Sequence, residues 1–226
     1  MSWSGSDLSN WWRHEIESDP AYEEVVTPLL IQILQPRTGA SYLDLGCGEG
    51  RVMRSLAALG SIVHGVDVNE DMAKAAGSAA VAMIPDLPVR ADSHDGVYSV
   101  LTLEHIEDED AFFEEAARVT RPGGVLALVI NHPVWTAPGS TPILDEDGET
   151  LWRPGDYFSP GESEMPAGEW SVTFHHRSLS ALLNSAASAG WCLAHMVEQP
   201  HHEFEDQVGI PRLLACRWTL MAQMHD

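Results

Sequence analysis

Tyr42-Leu-Asp-Leu-Gly-Cys-Gly-Glu-Gly-Arg51 reads as a short buried strand running into a glycine turn, with a helix beginning at Arg51. Gly46, Gly48 and Gly50 permit a sharp turn and a close approach to a ligand where a Cβ would collide. The helix behind the turn points unpaired N–H groups, and the positive end of its dipole, at whatever lies above it. Asp44 puts an acid in the same wall, which repels a pyrophosphate and suits an ammonium or a sulfonium. A dinucleotide fingerprint requires G-x-G-x-x-G. Its third glycine position is Arg51 here, and that pattern fails.

Outward from this turn, strand-like and helix-like segments alternate regularly from 41 to 132. Strands are predicted at 41–46, 61–67, 80–84, 95–102 and 123–131, and helices at 50–60, 70–79 and 108–120. That alternation argues for a parallel sheet covered on both faces. Asp108 and Asp110 suit the start of the last helix, where acids complement the dipole. Residues 9 to 35 read as helical, with Pro20 at a helix start and Tyr22, Val25, Val26, Leu29, Leu30 and Ile33 forming an apolar face. After Asn131 the chain turns rich in Pro, Gly, Trp and acids. Residues 132 to 173 then read as a long loop without periodicity, a feature usually tied to function. Ser178 to Ala189 reads as a helix stopped by Gly190. Trp191–Glu198 and Arg212–Met221 read as two final strands.

Four segments, spanning residues 42 to 130, carry a resemblance to the class I S-adenosylmethionine-dependent methyltransferases. Asp-Leu-Gly-Cys-Gly-Glu-Gly resembles the first motif of that family. Ile62-Val-His-Gly-Val-Asp67 resembles its second strand, and Met72 lies in the helix beyond. Asp95-Gly-Val-Tyr-Ser-Val-Leu-Thr-Leu-Glu-His-Ile106 resembles the fourth strand and its loop. Ala116-Ala-Arg-Val-Thr-Arg-Pro-Gly-Gly-Val125 resembles the lead into the fifth. The resemblance implies an α/β fold with a doubly wound, seven-stranded, mostly parallel sheet whose last strand is antiparallel. It divides the chain into an N-terminal helical lid (1–38), a cofactor-binding core (39–132), a substrate cap inserted after the fifth strand (133–176) and the rest of the core (177–226).

The implied cofactor is S-adenosylmethionine, with S-adenosylhomocysteine as product. In doubly wound sheets the ligand sits beyond the C-terminal strand ends at the switch point. Asp67, at the tip of the second strand, is placed to accept both ribose hydroxyls; taken alone it would read as a helix N-cap. Val68 and Met72 are expected against the adenine. Asp44 is expected to hold the cofactor's amino group or to brace the turn formed by Gly46, Cys47 and Gly48. Arg51 either reaches the carboxylate end or is an exposed helix arginine. Relatives often carry an acid just after the third strand to read the adenine amino group. The matching positions here are Met83 and Ile84, so either the backbone of this segment does that reading or the register of the match shifts by a few residues. Leu101 and His105 follow the fourth strand and line the same pocket.

Methyl transfer is an in-line displacement, so alignment and desolvation carry much of it. A neutral hydroxyl acceptor needs a base; a phenolate or carboxylate does not. His132, at the tip of the fifth strand, and His176, at the end of the insert, are the catalytic candidates, with His175 beside them. Trp12, Tyr22, Trp135, Tyr157 and His175 are the candidate substrate contacts. The aromatic residues of the insert either pack it onto the core or line an apolar acceptor pocket. Oxygen is the first expectation for the methylated atom, nitrogen the second and carbon the third. A non-catalytic S-adenosylmethionine-binding module and a protein or peptide methyltransferase are the alternatives.

The chain has 226 residues, a formal charge of −22 and a single lysine, Lys74. Nucleic acid and anionic membrane need clustered basic residues, so neither is an expected partner; a small-molecule acceptor is. A monomer and a homodimer are equally compatible with the sequence. Cys47, Cys192 and Cys216 lack metal-ligand spacing and suggest free thiols in a reducing cytoplasm. His201-His202-Glu203-Phe204-Glu205-Asp206 reads as a solvated loop, and no metal is expected.

Overall fold

The computed structural model describes residues 20–167, 170–200 and 209–222. Its first described helix opens with a π-helical turn, Tyr22–Val26, and continues as α1, Thr27–Leu34, with Pro28 in its first turn. There follow β1 (Ser41–Leu45), α2 (Arg51–Ala58), β2 (Ile62–Asp67), α3 (Glu70–Ala76), β3 (Ala79–Val81) and β4 (His94–Val100). A 3-10 turn, Leu103–His105, leads to α4 (Glu109–Val119) and β5 (Thr120–Asn131). The C-terminal part holds α6 (Leu179–Ser188), β10 (Trp191–Pro200) and β11 (Pro211–Leu220). Seven strands form one sheet in the order β10-β11-β5-β4-β1-β2-β3. Its pairs from β3 to β5 are parallel, and β11 runs antiparallel to both β5 and β10.

Alternation along the central strands feeds two cores, one on each face. Leu43 and Leu45 of β1 and Leu126, Leu128 and Ile130 of β5 pack with Phe112, Phe113 and Leu182 of α4 and α6. Tyr42, Ala127 and Val129 face the other way, onto Leu30, Ile33, Val52 and Leu56 of α1 and α2. Successive side chains of a strand point to opposite faces, so one apolar run covers both layers. The Trp191 indole N–H donates to the Phe113 carbonyl at 3.1 Å, which ties β10 to α4.

Helix starts follow side-chain chemistry. Asn69 Oδ1 accepts from the N–H groups of Asp71 and Met72, and Asp108 Oδ1 accepts from Ala111 N–H, as N-caps do. The cap of α3 is thus Asn69, not Asp67. The helix predicted over 70–79 stops at Ala76, because Gly77 turns to φ 80°. β3 is correspondingly placed at 79–81.

Residues 132–173, read from sequence as a loop, are largely ordered pairing. A short helix, α5 (Pro133–Thr136), precedes two antiparallel hairpins: β6 (Thr141–Leu144) with β7 (Thr150–Arg153), and β8 (Gly161–Ala167) with β9 (Trp170–His176). The first turn is built by Asp145, whose Oδ1 accepts from Asp147 N–H at 3.0 Å and Glu149 N–H at 2.8 Å, and by Gly148 at φ 82°. An aspartate that caps its own turn and a glycine at positive φ are the chemistry such turns demand. Among the described residues, no helix is long and apolar enough to cross a membrane.

Candidate active site

The C-terminal ends of β1, β2 and β4 open onto a cavity of about 690 Å³ at the switch point between β1 and β4. Ligand pockets run from roughly 300 to 1,000 Å³. Each residue that the sequence predicts around the cofactor lines it: Asp44, Gly46, Cys47, Gly48, Arg51, Asp67, Val68, Met72, Met83, Ile84, Leu101 and His105.

The glycine turn is held from below and beside. Gly46 N–H and Cys47 N–H both donate to the Val66 carbonyl at 2.9 Å. A Cβ on Gly46 would lie 2.3 Å from the Thr102 side chain, and the residue sits at φ 85°. At Gly48 a Cβ would meet no protein atom within 4 Å, so this backbone borders open space. Asp67 closes the turn: one oxygen accepts Gly48 N–H and the other Asn69 N–H, both at 2.8 Å. A carboxylate has about four acceptor sites. Two hold the loop, and the remaining capacity suits a vicinal diol.

Electrostatics give the cavity an acid wall. Asp44 is 2% exposed. Burial pushes its carboxyl up to about 8; the adjacent Tyr98 hydroxyl, which lacks a well-formed hydrogen bond, opposes that rise, and the charge of Asp67 adds to it. Burial also raises Asp67, against the N–H groups of Asn69 and Gly48. The Cys47 thiol is driven far up by burial and the neighbouring carboxylates, so it is no nucleophile at neutral pH. Glu49, Glu107, Asp108 and Glu162 extend the acid lining, while Arg51 is the one Lys or Arg that borders the cavity among the described residues. Arg51 lies 3.6 Å from Glu49 and 5.7 Å from the centre of the Tyr22 ring. It forms part of a wall with these two instead of standing out in solvent. Apolar surface comes from Val68 and Met72 on one side and from Ala82 to Pro85 on the other. No acid follows β3 into the cavity.

The two histidines expected to be catalytic are elsewhere. His132 caps α5: its Nδ1 accepts Val134 N–H at 3.1 Å, which leaves the proton on Nε2 to face Glu198 Oε1 at 2.8 Å. The ring is buried with both nitrogens occupied. His176 is likewise spent, with Nδ1 3.0 Å from the Thr136 hydroxyl and Nε2 donating to the Tyr157 carbonyl at 2.9 Å. Burial lowers the pKa of both, which keeps them neutral. Neither lines the cavity. The reason at His176 is the pleat: neighbours on a strand face opposite ways, and it is His175 that lines the cavity.

Of the candidate substrate contacts, Tyr22 and His175 line the cavity and Trp135 and Tyr157 do not. Trp135 packs on Trp152 at 4.2 Å between ring centres, with the Arg212 guanidinium 4.8 Å over it. The Tyr157 hydroxyl accepts Leu179 N–H at 3.0 Å. Both fasten the insert to the core. Trp12, with Trp11 and the His201–Asp206 stretch, lies outside the described residues.

Sequence reasoning missed Thr102, Glu107, Asp108, Glu162 and Thr173, all on the cavity wall. Thr102 was findable as the neighbour of Leu101 just beyond the fourth strand. Glu162 and Thr173 carried no signal, because only the β8–β9 register brings them in. His105 Nδ1 donates to the Thr173 carbonyl at 3.0 Å, and its ring meets Phe174 edge to face at 4.8 Å. Burial lowers its pKa and keeps it neutral.

Residues 43–128 match a family profile described as a methyltransferase domain. The ubiquinone biosynthesis O-methyltransferase of Pectobacterium atrosepticum is 30% identical over 131 residues, 51% of this chain and 54% of that protein. Methyltransferase GfsG of Streptomyces halstedii is 32% identical over 133 residues, 52% and 48% of the two chains. The chain thus spans about half the length of the curated relatives it matches. In overall fold it is similar to an S-adenosylmethionine-dependent methyltransferase from Mesorhizobium loti, with a TM-score of 0.80 at 24% identity over 90% of this chain and 99% of that one.

Proposed function

Since the chain carries a methyltransferase domain of the class I S-adenosylmethionine-dependent family, we propose that it transfers a methyl group from S-adenosylmethionine to a small organic acceptor, with oxygen as the atom methylated. The observation that carries this reading is the meeting of the glycine turn with Asp67 at the switch-point cavity. When bound, S-adenosylmethionine supplies an electrophilic methyl on a sulfonium.

The residues present fit that ligand. Asp67 is anchored by two backbone N–H groups with acceptor capacity left for the ribose diol. Val68, Met72 and the Ala82–Pro85 segment offer apolar faces to a flat base. The carboxylates on the cavity wall favour a cationic end over a phosphate, and a cation bound beside Asp44 favours its ionised form. The acceptor enters from the side bounded by His105, Thr173, His175 and Glu162, where the insert at 133–176 serves as a cap. Alignment of two reactants in a site that excludes bulk water supplies much of the rate in such a displacement.

Oxygen is favoured because a relative 30% identical over 51% of this chain is named an O-methyltransferase. The excess of acid over Lys and Arg in the chain argues against a nucleic-acid acceptor. The unpaired thiols of Cys47, Cys192 and Cys216 fit a reducing cytoplasm.

Calorimetry with S-adenosylmethionine and S-adenosylhomocysteine, on wild type and Asp67→Ala, tests the reading. Micromolar binding, on the order of −8 kcal/mol, is expected for wild type. Loss of the charge-assisted bonds in Asp67→Ala should weaken it by about 3 kcal/mol or more, in protein whose melting curve shows it folded. Folded wild type that binds neither ligand overturns the proposal.

A further inference from the structure

Glu162 and His175 are direct cross-strand partners in the β8–β9 hairpin, with Glu162 Oε1 3.5 Å from His175 Nδ1. Both line the same cavity as Asp44 and Asp67. The strand that bears His175 is fixed on either side of it. The Thr173 carbonyl accepts the His105 Nδ1–H at 3.0 Å, and His176 is held between Thr136 and Tyr157. One residue further, Arg177 donates to the Leu103 carbonyl at 2.9 Å. His132 and His176 spend both ring nitrogens on the protein. His175 instead lines the cavity, with a Glu162 carboxylate oxygen 3.5 Å from its Nδ1.

Resting on the methyl-transfer reading above, we propose that His175 is the general base of this site, that Glu162 is its positioning residue, and that the pair selects a neutral hydroxyl acceptor. A carboxylate facing Nδ1 keeps the proton there and leaves the lone pair on Nε2. As the acceptor oxygen forms its bond to the methyl carbon, the C–S bond breaks with its electron pair retained by sulfur. The hydroxyl proton passes to His175 Nε2. The imidazolium so formed faces Glu162 until it returns the proton to water. Acceptor hydroxyl and sulfonium thus become methyl ether, thioether and one proton. A carboxylate acceptor would need no base and would meet Glu107, Asp108 and Glu162 on the cavity wall.

The test uses the 226-residue chain loaded with S-adenosylhomocysteine and labelled with ¹⁵N-histidine, with His175→Gln to assign the His175 signals. His175 should carry its proton on Nδ1 in wild type. Glu162→Gln should move the tautomer toward Nε2–H, and Glu162→Asp should restore part of the wild-type pattern. With catechol, whose hydroxyls stay protonated at neutral pH, as the acceptor probe, His175→Gln should lower kcat about 100-fold and leave KM within about threefold. Turnover of benzoate should be at least about tenfold below that of catechol. An Nε2–H tautomer in wild type, a tautomer indifferent to Glu162→Gln, or a His175→Gln kcat within about threefold of wild type would each overturn the assignment. Binding of S-adenosylhomocysteine, measured first, separates the two levels. Its absence in wild type removes the reading beneath, whereas intact binding with an unaltered His175→Gln rate removes this pair alone.

Discussion

Asp44 places a carboxyl in a wall that offers it little water, and the consequence is a linkage between function and stability. Unfolded, the group ionises near its ordinary value of 3.8; folded, burial holds it at about 8. Between those values the folded chain keeps a proton that the unfolded chain has lost, so this residue makes stability fall as pH rises from about 4 to about 8. Asp44→Asn removes that slope. Thermal melts should show the variant several degrees more stable than wild type at pH 8 and little changed near pH 4, while calorimetry shows weaker binding of S-adenosylmethionine. A variant less stable at pH 8 would contradict the assignment of burial as the main cause. Asp67 differs in kind. Its oxygens accept two backbone N–H groups, so it shapes the turn itself apart from the ribose contact proposed for it. Asp44 and Asp67 were both legible as acids of a glycine-turn site. The shifted titration of Asp44 was not, because it depends on how completely distant segments exclude water.

Among the elements, the β8–β9 hairpin brings Glu162, Thr173 and His175 to the cavity wall, and Arg177 follows its last residue. The guanidinium donates to the carbonyls of Leu103, Ile106 and Glu107 and lies 3.2 Å from Glu109. One side chain therefore holds the segment between β4 and α4, whose Ile106 and Glu107 line the cavity. Arg177→Met removes the side-chain donor from three carbonyls, of which that of Leu103 keeps the Ile106 N–H, and from the Glu109 carboxylate, a loss of about 1–3 kcal/mol. Hydrogen exchange followed by mass spectrometry should show faster exchange over residues 103–107 in the variant. Unchanged exchange there would mean that the clamp is redundant. The hairpin escaped sequence reading for a definite reason. Its pairing brings side chains against α5, the 3-10 turn and Tyr157, none of which a local window contains. The βα units of the core were read well, since a buried parallel strand, a glycine or aspartate turn and an amphipathic helix each declare themselves within about ten residues.

At the scale of the whole molecule, a charge of −22 on 226 residues sets a background of self-repulsion. Screening shortens its range from about 10 Å at 0.1 M salt to about 3 Å at 1 M. Melting temperature should accordingly rise with sodium chloride across that range, and a fall would mean that specific ion pairs outweigh the net repulsion. The same field surrounds a cavity bordered by six carboxylate residues and Arg51, so the sheet, its acid rim and the cationic ligand proposed for it belong to one electrostatic design. Sequence by itself determined the layered α/β core, the strand ends that face the ligand, and the glycine turn with Asp44 and Asp67. Those features arise from periodicity and turn chemistry among near neighbours, which the order of residues specifies directly. Tertiary structure alone decided that His175 and not His176 borders the cavity, that Glu162 stands opposite it, and that His132, Trp135 and Tyr157 serve packing. Register between hairpin strands, and burial by segments far apart in the chain, are properties of the folded whole that no single stretch contains.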